Sequence, residues 1–416
     1  MHSNTSYHLA GPFRELVTMQ ALPLKGALKD SALRVIRNGG ILWKAGRIEA
    51  VDDFETLAVK PGVISMDQPV KGVVLPGFTD MHTHIAFGGS RAADFALRNG
   101  GSTYLEIAES GGGIWSTVKA TRALTIDALA ALTAQRANTL LRQGITTIEV
   151  KSGYGLNVAE ELKCLRAIDK ARRMTKADLV STCLAAHMLP ADFNGSAEAY
   201  LELMVNALLP VIKNERLAHR VDAFVERTAF SAEQILPYFK KVKAMGFDIT
   251  VHADQFTTSG SEVAVAVGAK SADHLEHSTG KEIALLAHSD VAAVALPGAS
   301  IGLGCPFAPA RKLLDAGCSL AIATDWNPGS APMGNLMLQA SVLATFEKLT
   351  NAELLAGITC RAAAALGFKD RGVLAPGYCA DFVVYDAASY QEIPYHQGSL
   401  QPVEVWKNGT RLTFTD

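Results

Sequence analysis

Between Val73 and Thr324 the chain alternates short apolar or β-branched runs with longer segments whose apolar residues recur every three or four positions. Eight runs have strand character, at 73–79, 146–151, 179–186, 221–226, 248–252, 271–275, 291–296 and 319–324. Helical periodicity fills most of the gaps, as in IDALAALTAQRANTLLRQG (126–144), SAEAYLELMVNALLPVIKNE (196–215) and SAEQILPYFKKVKAMG (231–246), where Gly144 and Gly246 are placed as stops. Strand-helix repetition predicts a parallel sheet, and eight units can close as a (β/α)8 TIM-like barrel. An open, doubly wound sheet is the alternative. Outside this region VIRNGGILWKAGRIEAV (35–51), ADFVVYD (380–386) and VEVWKNGTRLTF (403–414) are short β runs, with Asn-Gly and Ala-Gly turns among them. The α/β chain is therefore expected to place a barrel catalytic domain at 73–371, with residues 1–72 and 372–416 forming one small β-sandwich domain.

Composition narrows the function classes. With 39 Lys plus Arg against 41 Asp plus Glu and no long basic block, the chain lacks the footprint of a polyanion binder, so nucleic acid is not an expected partner. The first twenty residues lack a basic start and an apolar core, and no later apolar run approaches membrane-spanning length, which predicts a cytoplasmic protein with no membrane contact. Six scattered cysteines without a C-x-x-C pair suit a reducing compartment, and neither disulfides nor a thiolate metal site is expected. The helical flanks are compatible with a homodimer.

The chemistry lies in the histidines. His82, His84, His187, His252 and His274 all fall at or just past the C-terminal end of a predicted strand, and Asp325 closes the eighth strand in the same way. In a parallel barrel those ends form one mouth, so five imidazoles and a carboxylate from distant positions converge as a metal-site constellation. Alternate strand residues share a face, which lets His82 and His84 reach one ion while Thr83 points elsewhere. His2, His8, His219, His277, His288 and His396 lie off this pattern and are given no role, and Asp254 and Asp273 are placed as strand-end caps. A divalent ion held by imidazoles and a carboxylate lowers the pKa of a bound water toward about 7. Asp325 is then the best-placed general base and later proton donor, and His274 would orient the nucleophile, stabilise an oxyanion, or simply hold a ligand. Arg91, seven residues after His84 and beyond the Phe87-Gly88-Gly89 turn, suits a small-molecule substrate with a carboxylate, with Tyr104, Tyr154 and His187 as companions.

The order PGFTDMHTH, VHADQ, SADHLEH and IATDWNPGS resembles the amidohydrolase superfamily from about residue 35 to the C-terminus. That resemblance implies a metal-dependent barrel hydrolase with a small β-sandwich, and carries the ligand roles onto His82, His84, His252 and Asp325 around one divalent ion, Zn2+ or Fe2+. More narrowly, FGGSRAADFALR (87–98), SGGGIWSTVKATR (110–122), IEVKSGYGL (148–156) and HADQFTTSGSEVAVAVGAKSADHLEH (252–277) are similar to the branch that hydrolyses 4-imidazolone-5-propanoate to N-formimidoyl-L-glutamate in histidine degradation. This similarity implies substrate-binding positions at Arg91, Tyr154, His187, Asn327, Gly329 and Ser330. Deaminases of the superfamily carry a glutamate three residues after the histidine of strand five, whereas this chain has Gln255. An amide shuttles no proton but can pair with a neutral ring that offers one donor and one acceptor, which favours ring hydrolysis. Some relatives bridge two metals with a carbamylated lysine on strand four; Lys151 ends strand two, so a single ion is expected. Another cyclic amidase or heterocycle deaminase, or a catalytically inactive scaffold, remain as alternatives, the last weakened by the intact ligand set.

Overall fold

The computed structural model describes residues 6–66, 70–102, 106 and 111–414. Among these residues there are two sheets. Strands β1 (Tyr7–Val17), β2 (Val35–Lys44), β3 (Arg47–Asp53), β4 (Val63–Ser65) and β5 (Val73–Pro76) come from the N-terminal part of the chain. Eight strands then follow: β6 (Phe78–Asp80), β7 (Ile145–Lys151), β8 (Asp178–Ala186), β9 (Arg220–Val225), β10 (Asp248–Ala253), β11 (Ser271–His274), β12 (Ala292–Ala295) and β13 (Leu320–Ile322). The last three, β14 (Phe382–Tyr385), β15 (Glu404–Lys407) and β16 (Thr410–Arg411), return to the first sheet.

β6 to β13 are parallel neighbours in sequence order, with helices between most of them, as the (β/α)8 reading requires. The seam between β13 and β6 is closed by side chain and backbone together. Thr324 donates through its amide and its hydroxyl to Asp80 (3.0 and 2.6 Å), Asp325 N to the His82 carbonyl (3.0 Å) and His84 N to the Trp326 carbonyl (3.0 Å). Helix starts follow local sequence: Thr125 caps Ile126–Arg142 through Ala128 N, and Ser231 and Gln234 form a reciprocal capping box at Ala232–Ala244.

The other sheet runs in the order β16-β15-β14-β5-β1-β2-β3, with β4 also paired to β1. It curls over itself, so that Trp43 of β2 meets Trp406 of β15 at 5.5 Å between ring centroids and Phe382 of β14 at 6.0 Å. This aromatic core is what the alternating apolar positions at both ends of the chain form together. The expected first barrel strand, 73–79, is in fact two strands in different sheets. Val73–Pro76 pairs with β14 and β1, and Phe78–Asp80 with β7. Gly77 makes the crossing, because a Cβ there would lie 2.4 Å from Thr146 Oγ1. A continuous apolar run carries no mark of the change of sheet, since both halves are fully buried.

Candidate metal and substrate site

The C-terminal ends of β6, β10, β11 and β13 bring His82, His84, His252, His274 and Asp325 into one buried cluster. His84 Nε2 lies 3.2 Å from His82 Nε2, 3.2 Å from His252 Nε2 and 3.3 Å from Asp325 Oδ1, which is also 3.5 Å from His82 Nε2. The distal nitrogens of two of these rings face carboxylates: His82 Nδ1 meets Asp273 Oδ2 at 2.6 Å and His252 Nδ1 meets Asp222 Oδ2 at 2.9 Å. With the ring proton assigned to Nδ1, the side that faces a carboxylate in both rings, the Nε2 lone pairs of the neutral rings point at one another and at Asp325. Converging lone pairs repel unless a cation lies between them. Ligands about 2.0–2.1 Å from a tetrahedral ion are about 3.3–3.4 Å apart, close to these four separations, and two groups that share His82 could hold a divalent metal: His82, His84 and His252, and His82, His274 and Asp325.

Electrostatics agrees with that reading. Burial holds His84 well below its ordinary value and His252 at about 3, which keeps both rings neutral and their lone pairs available. Burial and Lys151 oppose charge on His82 as well, but Asp273 and Asp325 outweigh them and raise it to about 9. Burial disfavours the Asp325 carboxylate, yet its contacts with His82 and His84 hold it well below the usual carboxylate range.

Behind the imidazoles is a charge network whose pairings the sequence pattern does not reveal. Lys151, fully buried at the end of β7, pairs with Glu149 (2.8 Å) and Asp222 (2.9 Å) and lies 3.9 Å from Asp273. Glu149 also accepts the Thr83 amide (3.2 Å), so the network grips the His82-Thr83-His84 segment itself. Asp273 is thus no strand-end cap: it faces His82, because β11 places it beside His252 of β10 with both side chains toward the barrel axis. Asp254 does act locally, accepting from Ser261 N (3.2 Å) and Ser278 Oγ (2.8 Å). A lone aspartate one or two residues from a histidine carries no sign of which way it points, whereas the period-two placement of Glu149 and Lys151 on β7 was a usable signal that both face inward.

Above the cluster is a cavity of about 830 Å3 lined by His84, His187, His252, His274 and Asp325 and also by Arg91, Tyr154, Gln255, Asn327, Gly329 and Ser330. Tyr104 lies outside the described residues. Arg91 is the N-cap of the helix Ala92–Asn99, and its Nε donates to Asp94 Oδ2 at 2.7 Å. Gly329 packs against the same guanidinium so closely that a Cβ would lie 2.3 Å from Nη1. His187 Nδ1 is 2.9 Å from the Gly153 carbonyl, and its ring lies 5.6 Å from those of Tyr154 and His84. Asn327 is occupied with the loop itself: Nδ2 donates to Asp325 Oδ2 (2.9 Å), while Oδ1 accepts the amides of Gly329 and Ser330 (2.8 Å each). Its placement therefore fixes Asp325, leaving Oδ1 toward the imidazoles. Two supports were not foreseen. His277 contacts the Gln255 carbonyl at 2.6 Å, and Glu226 accepts the amides of Phe256 and Thr257 (2.9 and 3.0 Å), together holding the loop that carries Gln255.

The family model described as "Amidohydrolase family" matches residues 112–412. The imidazolonepropionase of Myxococcus xanthus (strain DK1622) is 42% identical over 400 residues, covering 94% of this chain and 95% of that protein. The imidazolonepropionase of Symbiobacterium thermophilum is 40% identical over 403 residues, covering 95% and 94%. Among solved structures, a triazine hydrolase variant superposes with a TM-score of 0.74 at 18% identity, covering 98% of this chain and 94% of its own. A zinc-bound adenosine deaminase from Xanthomonas campestris gives 0.68 at 18%, covering 98% and 92%. At such identities the structural likeness speaks for the fold alone.

Proposed function

Because the chain belongs to the imidazolonepropionase family of amidohydrolases, we propose that it hydrolyses the ring of 4-imidazolone-5-propanoate to N-formimidoyl-L-glutamate at this cavity. The observation that carries the reading is that one cavity brings His84, His252, His274 and Asp325, members of two groups that could hold a metal, together with Arg91 and the neutral amide of Gln255. His82, His84, His252 and Asp325 would hold one divalent ion, zinc or ferrous iron, which when bound lowers the pKa of a water to about 7 and polarises the ring carbonyl.

The remaining work falls to the chain's own groups. Arg91 holds the propionate at the cavity wall, and this anchors the ring over the cluster. Gln255 pairs with the ring edge through one donor and one acceptor, and having no exchangeable acid it leaves ring nitrogens and substituents unprotonated. Asp325, kept ionised by its imidazole neighbours and oriented by Asn327, accepts a proton from the attacking water as the new C–O bond forms. It returns that proton to the ring nitrogen as the C–N bond breaks, and the former carbonyl becomes a carboxylate. His274, which lines the same cavity and groups with His82 and Asp325, is the chain's candidate for stabilising the developing oxyanion.

The test is a spectroscopic assay with freshly generated imidazolone propionate. Loss of ring absorbance with appearance of the acyclic formimidoyl product is expected. Release of ammonia from an aminated heterocycle, with no action on imidazolone propionate, would overturn the reading.

A further inference from the structure

The helix that follows Arg91 carries a second arginine, Arg98, seven residues further on and so on the same face, and both line the cavity. Their engagements differ. Arg91 has its Nε committed to Asp94, whose Oδ2 is also fixed by Gly113 N at 2.8 Å. The Arg91–Asp94 pair consequently presents no net charge to an incoming anion, and Arg91 offers only the outer edge of its fork. Among the described residues, the enclosed Nη2 of Arg98 has no hydrogen-bond partner, and the guanidinium lies 5.8 Å from the ring centroid of Phe95. Burial first, and then the like charge of Arg91, hold the Arg98 guanidinium below its ordinary value, against the pull of Asp94. Two guanidiniums on one helix face with one carboxylate, which is bonded to Arg91 alone, are an arrangement that a second anion improves for both.

We propose that Arg98 is the second arm of the carboxylate subsite, binding the substrate's propionate together with Arg91 and supplying the positive charge that Asp94 cancels at Arg91. The inference rests on the substrate assignment above and deepens it: Arg91 positions the carboxylate, and Arg98 sets the preference for a ligand that carries one. A carboxylate has two oxygens and about four lone-pair sites, enough to be held from both sides.

The experiment uses the metal-loaded full chain and two stable probes, imidazole-4-propionate and 4-ethylimidazole, which differ in the carboxylate. Arg98→Met is expected to weaken imidazole-4-propionate by about five- to thirtyfold, the range between a buried and an exposed charged contact. KM for imidazolone propionate should rise by a similar factor with kcat within about twofold, 4-ethylimidazole should bind as in the wild type, and Arg98→Lys should recover part of the loss. Wild-type affinity of Arg98→Met for imidazole-4-propionate, or an equal loss for both probes, would overturn the proposal while the substrate assignment stands. Failure of the wild type to open imidazolone propionate would remove the assignment and the second arm with it.

Discussion

Replacing Lys151 with methionine tests how far the metal cradle depends on the charge behind it. The substitution preserves length and most of the volume but leaves Glu149, Asp222 and Asp273 facing one another in a site closed to water, two of them formerly within 2.9 Å of the ammonium. Removing one partner of a buried ion pair costs about 3–5 kcal/mol. Unfolding entropy of about 2.1 cal/mol/K per residue amounts to about 0.9 kcal/mol/K for 416 residues, so the thermal midpoint should fall by about 3–6 °C. Asp222 and Asp273 also orient His252 and His82. Their rearrangement should loosen the metal by about ten- to a hundredfold, the usual effect of losing a ligand's outer partner. Calorimetry of apo and loaded protein, with chelator competition for the ion, measures both quantities. The double variant Lys151→Met/Glu149→Gln removes one of the stranded charges and should regain part of the stability. Unfolding of Lys151→Met at the wild-type temperature with wild-type metal affinity would refute the reasoning, since the three carboxylates would then not need their cation.

Other expectations follow from the same geometry. His82→Ala and Asp325→Ala should each lose bound metal and turnover together, which metal analysis and the ring-opening assay read side by side; a metal-free, fully active variant would contradict the hydrolytic scheme. Arg91→Met should lower kcat/KM by about ten- to a hundred-and-fiftyfold, the worth of a charged hydrogen bond of about 1.5–3 kcal/mol, with metal content unchanged and Arg91→Lys less affected. Gly329→Ala should displace the Arg91 guanidinium, because the added methyl overlaps Nη1 while Asp94 still holds Nε, and so should raise KM without altering metal content or the thermal midpoint appreciably.

The sequence by itself determined the parts of this protein that depend on local period. Eight apolar runs separated by 3.6-period segments are enough for a parallel barrel, since each strand must be buried on both faces and each helix on one. The same logic brings histidines at strand ends to one mouth. It could not find the turnover between sheets at Gly77, because hydrophobicity reports burial and not the sheet in which a strand is buried. Nor could it say that Asp222 and Asp273 stand behind particular imidazoles, that Lys151 gathers three carboxylates, or that Asp94 pairs with Arg91 while Nη2 of Arg98 has no hydrogen-bond partner among the described residues. Those relations are set by register between strands and by the angle at which the helix after Arg91 leaves the barrel. Both are decided only when the whole core packs, because a side chain at a given position has no fixed partner until its neighbours from distant sequence are in place.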